Sequence, residues 1–292
     1  PYASHFTGTD LIVSHIERYV CPTISSDQIL GGEAFRFAGD RRIRLVMLIA
    51  EDEYETHQTL PAFSAKHLSE HFSVHIAWGS RTDRHQIVGL DEIDDADALL
   101  ISVRRRALPS SDLAILRKFV LRGKPVIGIR TASHAFSLRG KQPPEGKAVW
   151  ETFDADVFGG NYTNHYGNSL KTTIRLPQDD STHPILVATK AAEIEPGGSL
   201  YKTAPLAAGT HSLVEGMVNG QPAQPVAWTF VRSDSGRSFY TSLGHPDDFA
   251  QAEFEALLAA GIHWACGLEP HSLSEIKTQN QRYAAGAGRQ KK

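Results

Sequence analysis

Sulfur is scarce: two cysteines and two methionines in 292 residues. Cys21 and Cys266 stand near opposite ends of the chain, which argues against a zinc finger, an iron–sulfur site or a disulfide scaffold and leaves at most one bridge, from an N-terminal arm to the last helix. No apolar run reaches bilayer-spanning length, so no membrane span is expected. Neither sign of charge dominates: 30 Lys and Arg face 33 Asp and Glu, a formal net charge of -3 that gives no electrostatic case for nucleic acid. There is no GxGxxG after an apolar strand and no GxxxxGK[ST], which argues against nicotinamide, flavin and ATP enzymes. Internal repeats, HxH and HExxH are absent too. The chain opens on Pro1. That predicts a removed leader or a trimmed start and leaves the compartment open between cytoplasm and export.

What is present reads as a globular α/β domain. Hydrophobic residues make up 41% and charged residues 22%, enough for a sizeable core. Residues 1–41 lack periodicity and read as an arm. From residue 42 the pattern changes: Ile43 to Ala50 is an apolar run broken only by Arg44, as a strand buried on both faces should be. Val74 to Trp78, Ala96 to Val103 and Pro125 to Arg130 follow as strands two to four, separated by helical segments, one of them stopped by Gly123. This alternation predicts a mostly parallel, doubly wound sheet of flavodoxin-like architecture over residues 42–267. Beyond residue 150 the rhythm becomes β-rich, with turns at Asn219-Gly220 and Asp234-Ser235-Gly236 and a strand at Ser238 to Leu243. Phe254 to Ala265 closes the domain as a helix. Residues 268–292 read as a polar, frayed tail.

In an open parallel sheet, ligands bind beyond the carboxyl ends of the strands. That rule selects Glu51, Glu53 and Tyr54 after strand one, Arg104 and Arg105 after strand three, and Arg130 after strand four. Carboxylates and arginines at one edge either neutralise one another or line a polyol site. The stretch PVIGIRTASHAF has the form of a strand-to-helix elbow with Arg130 at its tip. A fixed cation beside free amides makes an anion or carbonyl pocket. Thr131 and Ser133, on the same turn, read as helix caps or ligand contacts. His134, His165 and His245 are candidates for acid–base work, foremost His245 oriented by Asp247. The same three imidazoles are an alternative donor set for a divalent metal, although no cofactor is required. Asn161 and Asn164, in GGNYTNHYG, offer the mixed donors and acceptors that sugar hydroxyls need.

The order GIRTASH, then a distal His245-Pro246-Asp247, resembles the class I glutamine amidotransferases. Their elbow carries cysteine where Arg130 stands, and their distal H-P-E supplies the histidine and acid that His245 and Asp247 match. A guanidinium stays protonated and cannot attack a carbonyl, so that resemblance implies the fold without glutaminase chemistry. A closer likeness rests on seven motifs in order: EDEYETHQTLPAF, SVRRRALP, GIRTASHAF, FGGNYTNHYG, GSLYKTAPL, PVAWTF and SFYTSLGHPDDF. Together they resemble the ThuA-like, or trehalose-utilisation, family, an offshoot of the amidotransferase-like fold associated with sugar catabolism. The resemblance implies a small-molecule carbohydrate ligand and a sugar isomerase or hydrolase. A non-catalytic sugar-binding or regulatory domain and a metal-dependent hydrolase stand as alternatives, and an apolar outer face on the β-rich half as a basis for a homo-oligomer.

Overall fold

Apolar runs of strand length become the middle of one nine-stranded sheet in the computed structural model, which describes residues 42–177 and 182–289. The expected N-terminal arm, with Cys21, lies outside the described residues. The sheet strands are β1 (Ile43–Ala50), β2 (Phe72–Gly79), β3 (Ile87–Val88), β4 (Ala98–Val103), β5 (Val126–Ile129), β6 (Thr173–Arg175), β7 (Thr210–Met217), β8 (Gln224–Val231) and β9 (Arg237–Thr241). They lie in the order β3-β2-β1-β4-β5-β9-β8-β7-β6. The five strands β2-β1-β4-β5-β9 are mutually parallel. Antiparallel pairs flank them at both ends: β3 on β2, and β8, β7 and β6 in succession beyond β9. The mostly parallel, flavodoxin-like sheet is therefore present, with its β-rich second half forming one wing of the same sheet.

Helices α1 (Thr56–His67), α2 (Ser110–Leu121), α3 (Ala252–Ala265) and α4 (Leu273–Arg289) cover the two faces. Alternate residues of β1 show the division. Leu45, Met47 and Ile49 pack with Phe63 of α1 and Leu257 of α3, whereas Val46 and Leu48 pack with Leu116 and Phe119 of α2. Gly123 ends α2 at φ 70°, a left-handed conformation that glycine adopts without steric cost. No helix among the described residues is long and apolar enough to cross a membrane.

The C-terminal segment differs from its sequence reading. Instead of fraying, Leu273–Arg289 is helical, with Ile276 wholly buried and Leu273 packed on the core. Glu255 of α3 draws the layers together, pairing with Lys66 and His67 at the end of α1 and accepting from Asn280 of α4 at 2.6 Å. A helix with one narrow apolar stripe looks polar in composition, so the segment resembled a tail. Ile276→Ala should lower the unfolding free energy by about 2 to 5 kcal/mol in urea denaturation, as for a core isoleucine. A frayed tail would lose less than about 0.5 kcal/mol.

Candidate active site

Four loops meet at the carboxyl edge of the parallel strands: those after β1, β4, β5 and β9. Arg130, directly after β5, has φ 49°. A non-glycine residue in that region costs on the order of 1 to 3 kcal/mol, so surrounding contacts must hold it there. They do. The Arg130 carbonyl accepts the Tyr240 hydroxyl at 2.6 Å, and Nη1 donates to the carbonyls of Ser242 at 2.6 Å and Ser199 at 3.2 Å. The guanidinium carbon lies 4.5 Å from the ring centres of both Tyr54 and Tyr201. Burial would pull this group's pKa down, but Tyr201, Tyr54 and the Asp248 carboxylate outweigh it and leave it above its ordinary value. Arg130 is only 3% exposed. Gly198 explains how the Ser199 loop comes so close: a Cβ there would collide with the Arg130 guanidinium.

The two tyrosines extend the sandwich into a row. On one side Tyr54 meets His245 edge-on at 6.1 Å; on the other Tyr201 meets Tyr162 at 4.7 Å, and Tyr162 stacks on His134 at 4.4 Å. Both terminal imidazoles were expected at the site, and the row carries both. His245 is about one-third exposed, with Nδ1 3.4 Å from the Asp247 carboxylate. Buried Asp248 builds that turn, accepting from the amides of Gly244 at 2.7 Å, His245 at 2.9 Å and Gly197 at 2.8 Å. His134 is buried, with Nδ1 3.1 Å from Ser133 Oγ. Desolvation, then the charges of Arg105, Arg104, Arg139 and Arg130, push its pKa well below the usual histidine value, so the ring is neutral at pH 7.

Arginines crowd the His134 end of the row. Arg104 pairs with Glu53 at 2.6 Å. Arg105 and Arg139, both at positive φ, interact with the Tyr162 hydroxyl and have no carboxylate partner among the described residues. Desolvation and mutual repulsion lower the Arg105 pKa. Arg139 is exposed and Arg105 half-buried, so water screens part of their repulsion, and an anion or polarised oxygen between them would relieve the rest.

The family model described as trehalose utilisation, ThuA, matches residues 45–265, most of the chain and every loop of this site. The chain belongs to the ThuA family. Two solved structures of ThuA-like proteins are similar to it. One, from Bacteroides uniformis ATCC 8492, is 14% identical and covers 77% of this chain and 91% of its own, with TM-score 0.55. The other, from Parabacteroides merdae ATCC 43184, is 15% identical and covers 78% and 92%, with TM-score 0.56. At such identities the likeness shows the fold. No curated protein matches the chain. Family membership ties the protein to a carbohydrate-related role.

Other sequence-selected residues of this ThuA-family chain take different places. Glu51 makes no direct ion pair with an arginine, although its charge acts on nearby Arg106. Its buried carboxylate accepts from the amides of Glu53 and Tyr54 at 2.7 Å and from the Thr56 amide and hydroxyl at 2.9 and 2.7 Å, which folds the loop that aims Tyr54 at Arg130. Thr131 Oγ1 is buried without a hydrogen-bond partner, as is Arg130 Nε. Asn161, Asn164 and His165 are exposed on a strip beside the row, where Asn164–His165 pairs with Tyr201–Lys202. His134, His165 and His245 do not bring their ligand atoms together as a metal set; the one group that does so among the described residues lies elsewhere. Trp228 is core, donating to the Phe158 carbonyl at 2.7 Å.

Tyr201, Arg139 and Asp154 were not singled out in the sequence. Tyr201 lies in GSLYKTAPL, but nothing local marks it as half of a cation sandwich. Asp154 is buried behind the strip; one carboxylate oxygen accepts the Tyr162 amide at 2.7 Å and the other has no partner. Desolvation raises its pKa to about 7. The folded carboxyl thus holds its proton more tightly than the unfolded one. Its favourable contribution is full below about pH 4 and is lost as pH rises through about 7. Unfolding free energy measured from pH 4 to 8 should fall by an amount on the order of 3 to 4 kcal/mol through this group. Asp154→Asn should remove that slope.

Proposed function

We propose that this ThuA-family protein is an enzyme acting on a sugar derivative that carries a carbonyl or carboxylate, a keto-sugar or sugar acid, at the carboxyl edge of its sheet. The observation that carries the reading is the uncompensated Arg105–Arg139 pair beside Tyr162 at one end of the aromatic row, with His245 half-open at the other. An anionic or strongly polarised oxygen supplies the missing counter-charge, and Tyr162 gives it a hydroxyl partner. The exposed polar strip with Asn161, Asn164 and His165 suits hydroxyl groups of the same molecule.

In this reading His245 is the general base. It takes a proton from the carbon next to the substrate carbonyl; the C–H electron pair forms a C=C bond, the C=O π pair moves onto oxygen, and the resulting enolate oxygen faces the arginines. Where that first carbon bears a hydroxyl, its O–H proton passes to the enolate oxygen, a new C=O forms there, and His245 returns its proton to the former carbonyl carbon, which completes an isomerisation. Asp247, 3.4 Å from Nδ1, stabilises the imidazolium that forms. His134, neutral, donates or accepts a hydrogen bond without adding charge. Arg130 acts through Tyr54 and Tyr201 as a positioning residue, since its Nη1 bonds go to backbone carbonyls. A hydrolase would use the same base to activate water.

Thermal unfolding against neutral sugars, keto-sugars and sugar acids tests this. A site ligand at about 100 times its Kd adds roughly 2.7 kcal/mol. Keto-sugars or sugar acids should raise the midpoint, and Arg139→Gln should abolish the rise. His245→Asn should keep the rise and lose turnover. If neutral sugars act equally well on wild type and Arg139→Gln, recognition through the arginines is wrong. If His245→Asn leaves turnover intact, His245 is not the base; if no panel sugar turns over while binding persists, the protein is a sugar-binding domain.

A further inference from the structure

We propose that His71, His263 and His271 form a binding site for a divalent first-row transition cation, Zn²⁺ by the chemistry of the donors, at the edge of the sheet opposite the sugar site. His71 immediately precedes β2, His263 lies in the last turn of α3, and His271 sits between α3 and α4. β2 is eight residues long, so this edge is about 25 Å from the loops that follow the parallel strands. The site is thus separate from the aromatic row, and its reading does not depend on the sugar assignment.

One ligand nitrogen from each ring lies within 4.8 Å of the other two, a grouping no other set of histidines, cysteines or carboxylates among the described residues achieves. His71 Nδ1 and His263 Nε2 are 3.2 Å apart. Tetrahedral zinc with Zn–N bonds near 2.0 to 2.1 Å places its ligand nitrogens roughly 3.3 Å from one another, so these two already stand at coordination spacing. The third ring closes the group, with His271 centred 5.3 Å from His71 and 4.6 Å from His263.

The outer partner of His263 matches that of a metal ligand. His263 Nδ1 lies 2.7 Å from the Ala259 carbonyl, which fixes the tautomer with Nδ1 protonated and the Nε2 lone pair turned towards His71. His271 Nδ1 accepts from the Gln279 amide nitrogen at 3.2 Å, and the amide oxygen meets His67 Nδ1 at 2.7 Å; turning that amide over sets its oxygen against His271 Nδ1–H and frees Nε2 for the cation. Without a cation, His71 and His263 share a single proton along their contact. A cation replaces that proton, which moves to the other nitrogen of the neutral His71 ring. His263 is fully buried, while His71 and His271 are half-buried and leave a way in. Three imidazoles with no carboxylate favour zinc and its neighbours over magnesium or calcium. The bound ion would join the turn before β2 to α3 and to the start of α4, fastening the C-terminal helix to the domain.

The test is a titration of the chelator-stripped full chain with Co²⁺ and then Zn²⁺, reading visible d–d absorption and the unfolding midpoint. Expected are one equivalent of Co²⁺ with the intense absorption of low-coordinate nitrogen ligation, its displacement by one equivalent of Zn²⁺, and a midpoint raised by Zn²⁺. His271→Gln and His71→Gln, at half-buried positions, should each weaken affinity at least tenfold while far-UV circular dichroism stays native; fully buried His263 is left intact because its loss could unfold the chain. Absence of the Co²⁺ spectrum, or unchanged affinity in folded His271→Gln, overturns the site.

Discussion

The guanidinium of Arg130, held between two tyrosine rings and two carbonyl oxygens, is the contact on which the rest of the site depends. It joins four separate stretches of chain: the loop after β1 through Tyr54, the Ser199–Tyr201 segment, the turn after β9 through Ser242, and the elbow itself. Cation–π contacts of this kind strengthen as water is excluded, and this cation is almost fully buried. The same contacts stabilise the left-handed backbone at residue 130, which would otherwise be disfavoured. Both histidines of the row take their positions from rings that arginine orders.

This gives the elbow a purpose without a nucleophile. A cysteine at such a tip would stand exposed to attack a substrate carbonyl; the arginine turns inward and organises the residues around it. The cations left nearer the surface are Arg105 and Arg139. They lie beside Tyr162, next to a histidine kept neutral by burial and by that same positive field. Neutrality matters there. A protonated His134 would add a further charge to an already crowded group, whereas the neutral ring supplies a plane for Tyr162 to stack on.

The sheet was legible because its signals are local. Leu45–Ala50 is apolar on both faces, and the elbow tip followed from GIRTASH alone. His245 and Asp247 are near neighbours in sequence and remain so in space. The partners of Arg130 were not legible as such: Tyr54, Ser199, Tyr201 and Ser242 come from three distant segments, and only the crossing of β5 between β4 and β9 brings them together. Glu51 carried a charge that suggested an arginine partner, yet three backbone amides within five residues satisfied it first. His71, His263 and His271 have no motif spacing, being gathered by the return of α3 to the far edge of the sheet. Helix α4 was concealed by the opposite problem, a polar composition with a single apolar stripe around Ile276.

The central claim is that Arg130 organises the site from within, and the unfolding free energy of Arg130→Met in urea, at pH 7 and without ligand, tests it most directly. Methionine keeps the unbranched stem as far as Nε but removes the guanidinium with its charge and donors, leaving the Ser199 and Ser242 carbonyls and both tyrosine faces without their partner. The account predicts a loss of about 3 kcal/mol or more with an unchanged m-value. A loss below about 0.5 kcal/mol would mean that the row stands without its arginine, and would contradict it.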